Sequence, residues 1–383
     1  MKILQISYEY PPLGGGAGVI CRHTSIGLAK LGHEVTVLST WFDGENEDEV
    51  IDKIRVIRVK SRRKKEFQSN PIEMLDYARK AILYFNSQFA EKKFDLTICH
   101  YTLPSGIVGR YISKHYNIPY YIVSHGHDVP FVFPKQMLFF HLATYFWIKT
   151  LMKNAKGMFV QSNEMEKATI NFMGSKFNNK LYKIPNGCNT DFFYPDYSKR
   201  GSKLKIIQVG RVVDQKDPMT YVKAIRLLRD SGADFEAWVI GDGPLLPKIK
   251  DFIKENNLES YIFTTGWVSK EEMKNHYQSA HIQVISSIFE AMSIAALEAL
   301  CSGVFLISTP VSGNREIIDI GTNGNIFNFK DALGAFTNIL EYYNSIRTNQ
   351  INNEIQLNNF RKQYDWSSVT LEYQNKLLVN IPN

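Results

Sequence analysis

Residues 205–218 read Lys-Ile-Ile-Gln-Val-Gly-Arg-Val-Val-Asp-Gln-Lys-Asp-Pro, and this stretch decides the fold. Its first five residues form a short β-rich apolar run closed by Gly210-Arg211, and Asp217-Pro218 is an N-cap followed by a proline suited to the first helical position. The helix so begun runs to about 229. Strands at 236–240, 262–265, 282–286 and 305–308 then alternate with helices at 245–255, 270–279 and around 295–300. Such alternation predicts a parallel sheet covered by helices on both faces.

Upstream, the polar, proline-containing stretch 189–202 reads as a linker, and before it the same alternation occurs once already. Strands are expected at 3–7, 35–40, 54–59, 96–100, 120–125, 158–161 and 182–184, with helices at 17–31, 71–91, 105–115 and 137–152. The expected fold class is therefore α/β, with two Rossmann-like doubly wound domains at 1–190 and 200–365. Beyond Asp331 the chain reads as helices, and the segment 366–383 carries a last helix that is expected to cross back to the first domain.

With 383 residues, 44% hydrophobic and 22% charged, the chain can fill two cores and shows no bias toward disorder. Cys21, Cys99, Cys188 and Cys301 include no Cys-x-x-Cys pair and read as buried thiols rather than a disulfide framework or zinc site. The first residues form an apolar run too short for a signal peptide, and no stretch reaches the ~18 uninterrupted apolar residues of a spanning helix. A cytoplasmic protein is expected.

The net charge of +7 is carried by residues 1–190. Its densest run is Arg62-Arg63-Lys64-Lys65, and Lys149, Lys153 and Lys156 follow an aromatic segment at 131–147. This suits an anionic membrane surface on the inner face of the membrane. The other reading is a solvated basic loop beside an ordinary amphipathic helix. The basic residues interleave with no nucleic-acid reading motif, and no nucleic-acid partner is expected.

In open α/β sheets ligands bind beyond the carboxyl ends of the strands, so the residues after each strand are the ones to read for chemistry. The first strand is followed by Tyr8-Glu9-Tyr10-Pro11-Pro12-Leu13-Gly14-Gly15-Gly16-Ala17-Gly18, where glycines let backbone amides approach an anion at a helix N-terminus. The spacing is not the dinucleotide fingerprint, and a glycine turn without a ligand is the other reading. Arg211, Lys216 and a helix N-terminus converge after the strand 205–209 and suit a diphosphate; two surface cations are the alternative.

Glu290 and Glu298 flank an apolar segment. On one continuous helix they would lie about 12 Å apart along the axis, beyond the ~5 to 9.5 Å of a glycosidase carboxylate pair, so they suit two ends of one elongated ligand. His125 opens the polar cluster His125-Gly126-His127-Asp128 at a strand end, where it could polarise a hydroxyl, ligate a metal or serve as a loop cap.

The ordered set Pro11-Pro12-x-Gly-Gly, His125-Gly126-x-Asp128, Ile184-Pro185-Asn186-Gly187, Gly210-Arg211 with Lys216, Gly241-Asp242-Gly243-Pro244, Gly266-Trp267-Val268 and Glu290 with Glu298 resembles glycosyltransferase family 4 over essentially the whole chain. The resemblance implies a GT-B fold, with its two domains facing a cleft, and a retaining nucleotide-sugar enzyme. It further implies that Arg211 and Lys216 bind the diphosphate, with Gly15 and Gly16 beside it. Glu298 would hold the ribose, Glu290 the donor sugar, and His125 the same sugar from the opposite wall. Gly266, Trp267 and Val268 would meet the base, and the amides of Met292, Ser293 and Ile294 the phosphate or sugar.

Neither a cofactor nor a divalent metal is expected. The implied reaction is transfer of a hexose or N-acetylhexosamine, from a UDP-sugar by preference, to a glycan or lipid-linked acceptor in surface polysaccharide synthesis. A non-catalytic nucleotide-sugar binding protein and a sugar-nucleotide epimerase are the alternatives on the same fold. The chain departs from the family at Glu290-Ala291-Met292-Ser293, where Glu-Gly-Phe-Gly is usual, at Ala295, where a proline is common, and at Asp217, where glycine is common. The lost glycines should narrow backbone freedom where amides are to face the ligand.

Overall fold

The computed structural model describes residues 1–65, 69–130, 134–346 and 354–379. Residues 131–133, where the aromatic run begins, and 380–383, at the end of the closing segment, lie outside the described residues. The chain divides into two compact units, Met1–Asn186 with Trp366–Asn383, and Gly187–Asp365.

The first unit runs β1 (Lys2–Ser7), α1 (Gly16–Lys30), β2 (Glu34–Thr40), β3 (Asp48–Ile51), β4 (Ile54–Val59), α2 (Pro71–Gln88), β5 (Leu96–His100), α3 (Gly106–Tyr116), β6 (Tyr120–Val123), α4 (Pro134–Asn154), β7 (Gly157–Val160), α5 (Asn163–Met173) and β8 (Leu181–Lys183). Its sheet has the order β3-β4-β2-β1-β5-β6-β7-β8. All neighbours are parallel except β3 and β4, which form an antiparallel hairpin. The sheet is therefore mixed rather than purely parallel. Sequence patterning missed β3 because Asp48-Glu49-Val50-Ile51 is a short, half-exposed edge strand without a buried face.

The second unit runs β9 (Leu204–Val209), α6 (Pro218–Asp230), β10 (Phe235–Ile240), α7 (Leu246–Glu255), β11 (Ile262–Gly266), α8 (Lys270–Ser279), β12 (Ile282–Ile285), α9 (Ile294–Cys301), β13 (Phe305–Ser308), α10 (Asn314–Ile317), β14 (Gly324–Ile326), α11 (Ala332–Ile346) and α12 (Glu354–Tyr364). Its wholly parallel sheet is ordered β11-β10-β9-β12-β13-β14. Counted within the unit, that is the third, second, first, fourth, fifth and sixth strand, the doubly wound order whose direction reverses between β9 and β12. In the first unit the equivalent reversal falls between β1 and β5.

Stretch 189–202 is no free linker. Cys188 N–H donates to the Tyr364 carbonyl at 2.7 Å, and the Arg361 guanidinium donates to the carbonyls of Thr190, Phe193 and Cys301 at 2.6 to 2.9 Å. These bonds bind it to the second unit. The last helix, α13 (Trp366–Leu378), packs on α1, where the absence of a side chain at Gly27 admits Thr370; a Cβ there would sit 2.2 Å from its hydroxyl.

Candidate active site

At the switch point of the second sheet, Gly210 directly follows β9 and Gly241 directly follows β10. A Cβ on Gly241 would lie 2.0 Å from the Gly210 carbonyl oxygen, and one on Gly243 2.5 Å from that of Val212, so only glycine lets these loops touch. Val212 N–H donates to the Asp242 carbonyl at 2.8 Å, and Leu245 N–H to that of Val212 at 3.0 Å. Arg211 thus stands on a braced loop. It is exposed, and its guanidinium has no hydrogen-bond or ion-pair partner among the described residues.

Asp217 has φ 43°, a left-handed conformation in which glycine is easiest, and aspartate keeps it by capping: its carboxylate accepts from Thr220 N–H at 3.3 Å and from the Thr220 hydroxyl at 2.6 Å. The loop after β12 is sewn to this turn. Ile288 N–H donates to the Gln215 carbonyl at 2.8 Å, and the Ser286 hydroxyl lies 2.9 and 2.7 Å from the carbonyls of Lys216 and Asp217. Gln208, buried in β9, donates to Ser286 at 2.8 Å. Gly210, Arg211, Lys216, Ser286 and Ser287 consequently line one small pocket.

From its wall Lys216 Nζ donates to Glu290 Oε1 in an ion pair, and the Ser287 hydroxyl donates to the same oxygen at 2.8 Å. Oε2 of Glu290 has no partner among the described residues. Glu290 and Glu298 do not share a helix. Glu290 lies in the loop after β12, and Glu298 projects from α9.

The Glu298 carboxyl accepts from the Tyr277 hydroxyl at 3.1 Å, and burial pushes it up to about 7. Some of the side chain still meets solvent, so desolvation acts on a carboxyl set into a wall rather than sealed off.

Ala291, Met292 and Ser293 all have negative φ, so the glycines usual there are not needed by this backbone. The close approach is taken up across the loop by Gly313, where a Cβ would meet the Ala291 oxygen at 2.5 Å. Met292 is buried against it. Ser293 caps α9, accepting from Ala296 N–H at 3.4 Å, while its own N–H faces Asn314 Oδ1 at 3.4 Å. The amides of Ile294 and Ala295 open the helix and have no acceptor among the described residues. Gly266, at φ 72°, forms a bridge with Gly241, which sets Trp267, 76% exposed, and the half-buried Val268 beside the same edge.

In the first unit, Gly15 and Gly16 are exposed at the start of α1. Gly15 N–H donates to Glu9 Oε2 at 3.3 Å, so an internal carboxylate takes the place of an external anion. Glu9 Oε1 pairs with Arg63 at 3.3 Å, and the Arg63 guanidinium lies 4.7 Å from the centre of the Tyr8 ring. Arg63 is therefore buried and paired, which removes it from the basic run 62–65.

His125 follows β6. Its ring lies edge-on to Tyr101, 4.7 Å between centroids, and Tyr101 holds an unusual φ of 72°. Asp128 fixes the loop: Oδ1 accepts from the Ser124 hydroxyl and His125 N–H at 2.7 and 2.9 Å, and Oδ2 from Thr102 N–H at 2.9 Å. Behind His125 stand His100 and Gln5, which sequence reading passed over, as it did Tyr277 and Ser287. The available signal was a polar residue inside an apolar strand: Gln5 in Ile-Leu-Gln-Ile and Gln208 in Ile-Ile-Gln-Val occupy corresponding places beside the two switch points. Among the described residues no group of three or more His, Cys, Asp or Glu is placed to hold a metal ion. No helix among them is long and apolar enough to cross a membrane.

Comparison with known proteins bears on this geometry. Residues 14–192 match the family model described as Glycosyltransferase Family 4, and residues 190–354 that of Glycosyl transferases group 1. An uncharacterized glycosyltransferase of Methanocaldococcus jannaschii is 26% identical over 373 residues, covering 97% of this chain and 96% of that protein. The UDP-Gal:alpha-D-GlcNAc-diphosphoundecaprenol alpha-1,3-galactosyltransferase of Escherichia coli is 26% identical over 174 residues, 42% of this chain and 44% of its own length. Among solved structures, sucrose-phosphate synthase from Thermosynechococcus elongatus superposes with a TM-score of 0.86 at 19% identity, covering 99% of this chain and 98% of that one. That likeness is one of fold, the GT-B class.

Proposed function

Because the chain belongs to glycosyltransferase family 4, we propose that it is a retaining enzyme that moves a hexose or N-acetylhexosamine from a nucleotide sugar, UDP favoured, to a glycan or lipid-linked acceptor. The observation that carries this reading is Arg211, exposed and unpaired, beside the Lys216–Glu290 pair at the switch point of the second sheet. Arg211 offers a planar fork and Lys216 a point charge to a diphosphate, and the free amides of Ile294 and Ala295 add a helix N-terminus. Together they neutralise the charge that gathers on the departing phosphate, the role a divalent metal would otherwise fill.

Glu290 presents its free Oε2 to a hydroxyl of the transferred sugar, and Glu298 accepts from the ribose hydroxyls. Trp267 and Val268 meet the base. His125 contacts the sugar. Transfer takes place on one face: the bond from the anomeric carbon to the phosphate oxygen breaks, the acceptor oxygen bonds the same face, and the acceptor's proton passes to the departing phosphate. Such a reaction requires no carboxylate acid and base pair, and Glu290 and Glu298 stand on different elements, a loop and a helix.

A lipid-linked acceptor at the cytoplasmic membrane face is favoured by α4, whose Phe139 and Phe146 are 88% and 81% exposed, with Leu142 and Trp147 beside them and Lys149 and Lys153 following. The Escherichia coli relative acts on a diphosphoundecaprenol-linked sugar by its name, which lends support to the same acceptor class and to surface polysaccharide synthesis.

The test is turnover of a panel of UDP-, GDP- and ADP-sugars, with the anomeric configuration of the product read by NMR. One donor consumed with retention, and lost in Arg211→Ala, supports the reading. Binding without turnover would leave a nucleotide-sugar binding protein, and inversion would remove the one-face mechanism.

A further inference from the structure

Two buried polar side chains run back from His125 into the first sheet. Gln5 lies in β1 and His100 ends the neighbouring β5. Gln5 Oε1 is 2.7 Å from His100 Nε2, and His100 Nδ1 is 3.1 Å from His125 Nε2. The same Gln5 oxygen lies 3.6 Å from the Cys21 thiol and 3.5 Å from the Thr24 hydroxyl. The Cys21 thiol donates to this atom, which sets it as the amide's acceptor, while the Thr24 hydroxyl gives its one proton to the Ile20 carbonyl at 2.8 Å.

The consequence passes outward one proton at a time. His100 must carry its proton on Nε2 to meet Gln5, so its Nδ1 is bare and accepts. His125 must then carry its proton on Nε2, which leaves its own Nδ1 bare. That order requires both rings to be neutral, and burial holds them so: it lowers His125 to about 3 and His100 well below the ordinary histidine range. His125 Nδ1 is enclosed and has no partner among the described residues. Packing alone does not account for the relay, because Gln5 Nε2 is also buried without a partner, a cost that an apolar residue in β1 would avoid.

We propose that Gln5 and His100 are positioning residues that fix His125 in its Nε2-protonated tautomer and so hold its ring, edge-on to Tyr101, in the orientation that meets the transferred sugar. This rests on the reading of His125 as the sugar contact. The relay acts through the tautomer it imposes, not through proton transfer, since neither ring takes up a proton near neutrality.

The tautomer is read directly on the full chain labelled with 15N-histidine, from the two ring-nitrogen shifts of His125. A protonated Nε2 and bare Nδ1 are expected; the reverse overturns the proposal. Gln5→Leu removes the acceptor and is expected to mix the tautomers and lower kcat/KM for the donor sugar about tenfold, while affinity for UDP alone stays within twofold. Gln5→Glu, which accepts the same bond, is expected to keep the wild-type tautomer and most of the activity.

An unchanged His125 tautomer in Gln5→Leu, or equal loss of activity in both variants, assigns the relay to packing and overturns the proposal. If Gln5→Leu does not fold, the wild-type shifts and Gln5→Glu still decide. The NMR result needs no turnover, so failure of the enzymatic reading and failure of the relay remain distinguishable.

Discussion

Lys216 and Glu290 are paired with each other across the switch point of the second sheet, although one is the natural partner of a diphosphate and the other of a sugar. Their side chains are 20% and 11% exposed, so each neutralises the other in partial shelter from water. Lysine has three donors and needs only one for Glu290, and Glu290 keeps Oε2 free. In the proposed function the pair would join the two halves of a nucleotide sugar.

The joint gives opposite expectations for its two members. Lys216→Ala should weaken UDP binding about tenfold, the loss of one charge-assisted contact. Glu290→Ala should leave UDP binding unchanged or tighter, because it frees the lysine, yet abolish transfer. Calorimetry with UDP beside turnover of the UDP-sugar checks both. Weaker UDP binding in Glu290→Ala would mean that the carboxylate only orders the loop.

Glu298 provides a pH dependence. Its pKa in the folded chain is raised to about 7, so the protonated form suits the fold, and stability is lost as pH rises from the ordinary carboxylate range through that value. In the proposed role, ribose hydroxyls would donate to the ionised form. Nucleotide affinity should therefore rise with pH through about 7 and release a proton near neutrality, measured as a dependence of binding heat on the buffer's ionisation enthalpy. Glu298→Gln should bind without that dependence.

The buried histidines act in the other direction. His125 is depressed to about 3, so its contribution is present above the ordinary histidine range and is lost as pH falls toward that value. Acidification from pH 7 to about 5 should lower the melting temperature of the wild type more than that of His125→Gln. Equal slopes would mean that the ring is already solvated.

Helix α4 should bind anionic vesicles. Replacing Phe139 and Phe146 by Ser is expected to reduce flotation with phosphatidylglycerol vesicles several-fold and leave UDP binding unaltered, while raised salt weakens the Lys149 and Lys153 contribution. Flotation that ignores both changes would place the apolar face in some other role.

Local chemistry in the chain determined a good deal. The alternation of apolar strands and helices, the Asp217-Pro218 helix start, and the glycines at 210, 241 and 243 each follow from residue type and spacing within a few positions, and they specify two doubly wound units and the loops that carry Arg211, Lys216 and Glu290. Tertiary structure alone decided the partners. Lys216 and Glu290 are 74 positions apart, and Gln5 and His100 are 95 apart; parallel strands bring such residues together only through crossovers. The same long-range packing enclosed Arg63 in a run that reads as solvated, and gave Gly313 the close approach expected of residues 291–293. A hydrogen bond across a sheet depends on register and strand order, and neither is encoded in the spacing of the residues it joins.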